Sequence, residues 1–369
     1  MKKLAIIGAS YLQVPLIQKA KSMGLETHVF AWACGDDGER LADVFYPISI
    51  VEKEAILRKC REIGIDGVCS IASDLAMLTV GYVAHAMGLT GNTPEAIARS
   101  TDKHLMRLAF EAGGDPSPKS LLVESTEDVS AAELHYPVIV KPLDRSGSRG
   151  ITKLESAEGL PAAIEYAREQ GFQKKALVEE FAEGKEYSVE CISWQGQHHF
   201  LALTEKFTTG APHFIETGHR EPATVSDVLL EKIRRVTFHA LNSLGIEYGA
   251  SHTEIKIDAN ENIRLIEIGG RMGGDFIGSD LVYLSTGVDF VAAVIDVALG
   301  REPDLTAKRE PMAAEIRFVF SPDDVCLLEQ LRRESPQRIL RWVCDGQAQK
   351  KVVTDSSNRH GYWIFTKDA

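Results

Sequence analysis

One continuous stretch, His252-Thr-Glu-Ile-Lys-Ile-Asp258, Ala259-Asn-Glu-Asn262 and Ile263-Arg-Leu-Ile-Glu-Ile268, predicts a β-hairpin. Apolar and polar residues alternate along both arms, which is the period of a strand with one buried face. The loop of four residues places Asp258 opposite Ile263. The apolar residues then share one face, which predicts a core beneath the hairpin: Ile255, Ile257, Ile266 and Ile268.

The same register predicts two carboxylates directly opposite each other on the polar face. Lys256 would face Leu265, and Glu254 would face Glu267 with Cβ atoms ~5 Å apart. Like charges in that position destabilise a sheet unless a positive group lies between them. Mg²⁺ fits there, because it is a hard cation that one or two carboxylates hold together with substrate phosphates. Two solvated surface glutamates beside Lys256 are the alternative interpretation.

A glycine-rich segment, Gly269-Gly-Arg-Met-Gly-Gly-Asp275, follows Glu267 almost directly. Glycines let the backbone approach a ligand and expose its N–H donors. Arg271 adds a planar fork that suits phosphate or carboxylate. A flexible connection with a surface arginine is the alternative, but the neighbouring carboxylate pair favours a ligand site.

Two lysines are candidates for phosphate contacts. Lys141 ends the apolar run Tyr136–Val140 and precedes a Ser/Gly loop at 144–150, although most lysines at strand ends only face water. The loop lacks the GxxxxGK[ST] pattern of a Walker A motif. Lys103 begins a predicted helix at 102–112, where a cation opposes the helix dipole. That conflict favours a ligand role, while a solvated lysine is the commoner explanation.

Two further segments carry many titratable groups. Val178–Glu190 joins two predicted strands through Gly184 and could present backbone groups to an adenine edge, with an acidic surface turn as the alternative. Glu205–Arg220 is predicted to be a long loop, and such loops often line sites. Its His213 and His219 could equally be ordinary surface histidines.

The first ~95 residues alternate short apolar runs with amphipathic stretches, which predicts a doubly wound parallel sheet. A dinucleotide site has little support there. The turn after the first strand, Gly8–Gln13, lacks two glycines of GxGxxG, and the second strand ends at Ala31-Trp32 without an acidic residue for a ribose. Ser73 and Asp74 are polar groups near the carboxyl ends of these strands.

Composition excludes several broad classes of function. The 369 residues carry a net charge of −12, which argues against a broad nucleic-acid surface. The six cysteines form no CxxC pair, so zinc or thioredoxin-like chemistry has little support. No segment approaches the ~20 apolar residues of a membrane span, and the first apolar run is too short for a signal peptide. A cytoplasmic protein is therefore expected.

Taken in order, segments over roughly residues 1–300 resemble the ATP-grasp superfamily. They are Lys103, VIVKP at 138–142, the Ser/Gly loop, EEFAEGKEYSVE at 179–190, and the acidic pair ending in EIGGRMGGD at 267–275. The resemblance implies an α/β fold with α+β character in the ATP-grasp part. A doubly wound pre-ATP-grasp domain would occupy 1–95, a two-lobed ATP-grasp domain 96–300 with its small lobe at about 115–183, and a small α/β segment 301–369.

The resemblance also implies a nucleotide site. ATP phosphates would be contacted by Lys103, Lys141, Ser146, Gly147 and Ser148, and adenosine by Glu179, Glu180, Phe181, Ala182 and Glu186. Glu254 and Glu267 would hold Mg²⁺, which Mn²⁺ could replace. Arg271 and Lys141 would be catalytic, with Arg271 on the transferred phosphoryl group. Many family members have an asparagine at the position of Gly269, so the number of metal ions is open.

Within the superfamily, the chain looks most similar to L-amino-acid (dipeptide) ligases and carbamoyl-phosphate-synthase-like proteins. Glu216-Thr-Gly-His219 and Arg271-Met-Gly-Gly274 resemble their substrate-pocket motifs, which gives Glu216, His219, Arg271 and Gly274 as substrate-binding candidates. The implied activity is an ATP-dependent ligation of a small carboxylate to an amine through an acyl phosphate. A bicarbonate-using carboxylase and a nucleotide-binding regulatory protein without turnover are the alternatives. Many relatives are dimers, so a homodimer is open.

Overall fold

The computed structural model describes residues 1–124, 134–144, 150–211, 214–346, 348 and 352–366. They form a mixed α/β fold with one parallel and two antiparallel sheets, which confirms the predicted fold class. The Ser/Gly-loop residues Ser146, Gly147 and Ser148, as well as His213, lie outside the described residues. Within the described part of the chain, every helix is too short or too polar to cross a lipid bilayer.

The N-terminal sheet is parallel, as predicted. Its strands and the helices between them are β1 (Lys3–Ile7), α1 (Val14–Ser22), β2 (Glu26–Phe30), α2 (Asp37–Leu41), β3 (Val44–Tyr46), α3 (Lys53–Ile63), β4 (Gly67–Cys69) and α4 (Asp74–Met87). The strand order is β3-β2-β1-β4. Gly64 and Gly88 end α3 and α4 in the left-handed conformation that glycine adopts without strain.

Two short helices lead out of this sheet, α5 (Pro94–Thr101) and α6 (Lys103–Gly113). Thr93 caps α5 through its hydroxyl, with Pro94 in the first turn. Asp102 caps α6, because its Oδ1 accepts the backbone N–H groups of His104 and Leu105 at 2.9 and 3.0 Å. This carboxylate cap counteracts the unfavourable position of Lys103 at the helix start.

A small antiparallel sheet follows. Its elements are β5 (Ser120–Val123), β6 (Val138–Pro142), β7 (Thr152–Leu154), α7 (Leu160–Gln170) and β8 (Ala176–Glu180), and its strand order is β5-β8-β6-β7. The apolar side of α7 packs onto β6 and β8 through Ile164, Val140 and Val178, all at most 1% exposed. The sheet therefore carries Lys141 and Glu179 on its other face, near the strand ends.

The remaining strands form one eight-stranded antiparallel sheet. They are β9 (Lys185–Trp194), β10 (Gln197–Thr208), β11 (Glu216–Glu221), β12 (Gly249–Ile257), β13 (Ile263–Gly269), β14 (Ala314–Phe318), β15 (Ile339–Cys344) and β16 (Gly361–Thr366). Their order is β13-β12-β9-β10-β11-β14-β16-β15. Thus the C-terminal strands continue the sheet that holds the hairpin. The predicted domain limits at residues 95 and 300 stay predictions.

In the described ranges, four α-helices accompany the large sheet. They are α8 (Asp227–Leu244), α9 (Val282–Thr286), α10 (Phe290–Ala298) and α11 (Pro322–Glu334), with a π-helical turn at Ile277–Leu281. The apolar helix α10 joins the two halves of the chain, since Val294 and Ile295 share one core with Leu4 and Ile6 of β1. The same core includes Cys69 of β4 and Ala250 of β12, so it packs the parallel sheet against the strand that begins the hairpin.

The hairpin pairs Glu254 with Glu267, as the sequence predicted. The predicted register nearer the loop is wrong by one residue: Lys256 pairs with Arg264 rather than Leu265, and Ile263 pairs with Ile257 rather than Asp258. The loop holds one residue more than counted, because Asp258 belongs to it and its N–H bonds to Asn262 O at 3.1 Å. A bulge after Glu254 restores the register.

The bulge also changes one predicted core residue. Leu265 is fully buried in the core with Ile263, whereas Ile266 is only half-buried and lines a cavity on the other face. The extra residue in β13 places Ile266 and Glu267 on the same side of the sheet. The predicted core positions of Ile255, Ile257 and Ile268 are confirmed.

The predicted long loop at Glu205–Arg220 is also wrong. Strand β10 continues to Thr208 and β11 begins at Glu216, and the two pair antiparallel from Glu205 with Arg220 to Thr208 with Glu216. The many charged residues suggested a surface loop, but pairing with neighbouring strands on both sides keeps the segment extended.

Candidate active site

A cavity of about 280 Å³ lies where the small sheet, the large sheet, α4 and α6 meet. Every predicted site residue that the structure describes lines it: Lys103, Lys141, Glu179, Glu180, Phe181, Ala182, Glu186, Glu216, His219, Glu254, Glu267, Arg271 and Gly274. The fold thus brings together residues that lie as far apart in the sequence as Lys103 and Gly274.

The acidic pair lies within this cavity, and a separate lysine neutralises each carboxylate. Lys206 Nζ donates to Glu254 Oε1 at 2.7 Å, and Lys103 Nζ donates to Glu267 Oε1 at 3.0 Å. Burial opposes the charge on Glu254, but Lys206 outweighs it and holds the pKa of that carboxyl well below its usual range. Glu254 is therefore an anionic candidate ligand for a cation.

The cavity contains a first group of ion pairs that we call the basic cluster: Lys103, Lys141, Arg107 and Arg271, with Glu267, Glu179 and Asp74. In it, Glu179 is 3% exposed and accepts from Arg107 Nε at 2.7 Å and from Lys141 Nζ at 2.5 Å. Burial opposes the charge of Glu179, yet these two cations lower its pKa. Burial also lowers the pKa of Lys141, and the attraction of Glu179 offsets only part of this decrease.

Arg271 and Lys103 complete the basic cluster. Arg271 forms two parallel hydrogen bonds with Asp74, from Nε to Oδ1 and from Nη2 to Oδ2, both at 2.8 Å. Asp74 is the first residue of α4, which follows the last strand of the parallel sheet. The N-terminal part of the chain therefore contributes this carboxylate to the site. Burial opposes the charge of Asp74, but the attraction of the Arg271 guanidinium and its two hydrogen bonds outweigh burial and lower the pKa of Asp74.

The second group of ion pairs, which we call the acidic cluster, comprises Lys206 and Arg359 with Glu186, Glu216, Glu254 and Asp275. Lys206 is 7% exposed, and its Nζ lies 3.3 Å from Glu186 Oε1 and 3.7 Å from Glu216 Oε1. Burial opposes its charge, but Glu254, Glu186 and Glu216 together raise its pKa. Lys206 therefore stays charged and links the acidic pair to the rest of this cluster.

A buried histidine and a buried glutamate hold the glycine-rich segment in place. His252 Nδ1 bonds to Glu190 Oε1, and the other oxygen of Glu190 accepts from Gly273 N at 2.9 Å. Burial opposes the charge of His252, but Glu190 outweighs it and raises the pKa to about 9. A Cβ at position 273 would lie 2.7 Å from Glu190 Oε1, so a larger residue there would have to displace the Glu190 side chain.

An aromatic platform lies at the end of the linker between β8 and β9. The ring of Phe181 has Lys153 Nζ at 4.3 Å and Lys256 Nζ at 4.4 Å from its centroid, and Phe214 at 6.0 Å. Gly184 lets the linker turn with φ +116°, where a Cβ would lie 2.2 Å from Ile257 O. The linker is thus held against the hairpin beside a flat apolar surface.

Sequence reasoning did not assign Lys206, Arg107, Glu190, His252 or Arg359. A period-two pattern could have revealed part of this set, since Glu186, Ser188 and Glu190 on β9 face Lys256, Glu254 and His252 on β12. Such a row of polar residues across neighbouring strands indicates a polar face that the core cannot occupy. Arg107 and Arg359 carry no local signal, because their partners are distant in the sequence.

A sequence model described as the ATP-grasp domain matches residues 134–280. The match runs from β6 through β13 and includes both carboxylates of the acidic pair as well as the glycine-rich segment. Residues 134–280 are therefore similar to ATP-grasp domains, which confirms the resemblance seen in the sequence.

Several proteins that are similar to this chain are named as ligases or synthases. Alanine–anticapsin ligase of Bacillus subtilis is 29% identical over 301 residues, covering 72% of this chain and 63% of the relative. Carnosine synthase 1 of Homo sapiens is 24% identical over 342 residues, covering 83% and 41%. The L-amino acid ligase structure from Bacillus licheniformis has a TM-score of 0.82 at 23% identity, covering 99% and 93%. The chain spans less than two thirds of the length of the first curated relatives, at 63% and 58%.

Proposed function

We propose that the protein is an ATP-dependent carboxylate–amine ligase that forms an amide or peptide bond through an acyl phosphate, on amino-acid-like substrates. The observation that carries the proposal is the in-register pair Glu254 and Glu267 inside a cavity that also holds the basic cluster. Two adjacent carboxylates are suited to a divalent cation, and the cations beside them are suited to phosphate.

The nucleotide would lie between the small sheet and the hairpin. Adenine would rest by Phe181 and meet the backbone of Glu179 to Ala182, with Glu186 on the ribose. Lys103 and Lys141 would contact the phosphates, together with the segment at Ser146, Gly147 and Ser148. The support for this arrangement is that both lysines are buried at 5% exposure and line the same cavity as Phe181.

The donor set fits Mg²⁺. Among the described residues, no three acidic, histidine or cysteine side chains converge as a complete set of ligands. Glu254 and Glu267 would therefore supply two oxygens, and phosphate oxygens and water would supply the others, which is how Mg²⁺ is usually held. The bound ion would neutralise charge on the phosphate oxygens.

The chain would contribute positioning and charge neutralisation to two steps. In the first, a carboxylate oxygen of the substrate attacks the γ-phosphorus and ADP leaves, with Lys141 and Arg271 offsetting the charge on the transferred group. In the second, the amine nitrogen attacks the acyl carbon, and phosphate leaves with the electron pair of the broken C–O bond. The nitrogen must also lose a proton.

Glu216 is the better acceptor for that proton. Burial raises the pKa of Glu216, which makes the carboxylate more basic. Burial lowers the pKa of His219 to about 4, so its imidazole is a weak base. Glu216 would therefore take the proton, and His219 would orient the amine.

The test is phosphate release from ATP and Mg²⁺ with each of the twenty L-amino acids, with all their pairs, and with bicarbonate. The proposal predicts release that depends on a carboxylate and an amine together, with the amide product seen by mass spectrometry. Release that requires bicarbonate and no amine would indicate a carboxylase instead. Bound ATP without release under any condition would contradict an enzymatic role.

A further inference from the structure

Arg359 reaches the acidic cluster from outside the matched ATP-grasp segment. It lies two residues before β16, and its side chain is 6% exposed. Its guanidinium lies 3.7 Å from the ring centroid of Phe318, which fixes its plane. Nη1 donates to Asp275 Oδ2 at 2.8 Å and Nη2 donates to Glu216 Oε2 at 3.1 Å. One arginine thus holds two carboxylates from different strands and loops.

The partners of Arg359 face the cavity, whereas Arg359 lies behind them. Glu216, Asp275 and His219 all line the cavity. Arg359 uses one oxygen of each carboxylate, and the second oxygen of Glu216 lies 3.7 Å from Lys206. An effect of Arg359 on a ligand would therefore pass through the two carboxylates.

The charge of this end of the cavity suits a cationic group. Arg359 opposes the effect of burial on Asp275 and holds the pKa of that carboxyl well below its usual range. His219 adds no charge near neutral pH, because burial lowers its pKa to about 4. Its Nδ1 is buried and has no hydrogen-bond partner in the described part of the chain. The carboxylate oxygens of Glu216 and Asp275 match an ammonium, which has three donors.

We propose that Arg359 is a positioning residue that holds Glu216 and Asp275 in place as a pair of acceptors for the ammonium group of the amine substrate. This inference rests on the ligase function proposed above. Without the guanidinium, two buried carboxylates would repel each other, and one would take up a proton or turn away. Amine binding would then weaken, while carboxylate activation at the basic cluster would continue.

The experiment separates the two half-reactions. The carboxylate from the fastest pair of the screen above is given either hydroxylamine, which is largely uncharged at slightly alkaline pH, or the amino acid of that pair. For R359Q we expect the KM for the amino acid to rise about tenfold or more, because charged hydrogen bonds are lost. Hydroxamate formation should fall clearly less than ligation of the amino acid, because hydroxylamine carries no ammonium group, and R359K should recover part of the lost amino-acid affinity.

Two further variants keep the test decisive. R338Q is the matched control, since Arg338 lies in the same C-terminal region but its Nε donates to Thr366 O at 2.8 Å rather than to a carboxylate of the acidic cluster, so it should behave as wild type. D275N tests the same acceptor pair if R359Q does not fold, and it too should raise only the KM for the amino acid.

Equal losses with hydroxylamine and with the amino acid in R359Q and D275N would overturn the positioning role, as would no loss with either acceptor. A wild-type protein that forms no hydroxamate from any carboxylate would instead overturn the ligase function itself.

Discussion

The basic and acidic clusters share one cavity but have opposite charge balances. The basic cluster has four cations against three carboxylates. The acidic cluster has two cations against four carboxylates. The acidic pair joins them, because Glu267 belongs to the first and Glu254 to the second. We therefore propose that phosphate binds at the basic cluster and the amine at the acidic cluster, with the metal between them.

A third buried carboxylate shows what the partner cations do. Glu221 is fully buried like Glu179, but its hydrogen bonds are to hydroxyls, from Thr204 Oγ1 at 2.5 Å and Ser285 Oγ at 2.8 Å. Burial raises the pKa of Glu221 to about 8, whereas two cations lower that of Glu179. A cation within contact distance, rather than burial, thus decides which of these carboxylates is ionised.

The largest expected effect concerns the basic cluster. R271K keeps the charge but cannot reproduce the two parallel bonds to Asp74, so the side chain would no longer be held towards the phosphates. We expect turnover to fall by about a hundredfold or more, measured as amine-dependent phosphate release. R264K on the exposed side of the same hairpin should be unaffected. Full activity of R271K would show that the fork is dispensable.

The next largest effect concerns the acidic cluster. K206M removes the cation that Glu186, Glu216 and Glu254 share. Breaking a buried pair leaves uncompensated charge, and the partners are partly exposed, so we expect the free energy of unfolding to fall by about 3 kcal/mol. Urea denaturation measures this loss, with K185M at an exposed position of β9 as the control. Equal stability of K206M and wild type would mean that the acidic cluster does not need its central lysine.

The smallest effect concerns Glu221. Its folded pKa is about 8 and therefore lies above the unfolded value, so the folded state retains a proton that the unfolded state has lost at neutral pH. Wild-type stability should consequently fall as pH rises towards 8, while E221Q lacks this dependence. We expect E221Q to gain about 2 kcal/mol relative to wild type between pH 6 and pH 8. Parallel denaturation curves at both pH values measure it, and a constant difference would contradict the prediction.

The sequence predicted the polar face of the hairpin because alternation depends only on neighbouring residues. It missed the register near the loop, since the carboxylate of Asp258 accepts from Asn260 N at 2.8 Å and Asn262 N at 2.9 Å and makes Asp258 part of the turn. The bulge that compensates depends on packing between β12 and β13. The longer turn shifts the register by one residue and the bulge shifts it back, so the pairing of Glu254 with Glu267 was predicted correctly.

Other parts of the site depend on contacts that local patterns do not record. Arg359 is 143 positions from Glu216, and Arg107 is 72 positions from Glu179. Lys206 fell within the predicted long loop at Glu205–Arg220, because its burial comes from the strands on either side. Sequence patterns thus located the ligand-facing residues of the motifs, whereas the counter-charges that hold them required the fold.

The most direct test of the central claim is the Mg²⁺ dependence of ATP consumption in E254Q and E267Q, with E261Q in the hairpin loop as the matched control. If the facing carboxylates hold the metal, each glutamine variant stays folded but loses about a hundredfold or more of its turnover, while E261Q keeps wild-type turnover. Wild-type turnover with an unchanged Mg²⁺ requirement in either E254Q or E267Q would contradict the claim.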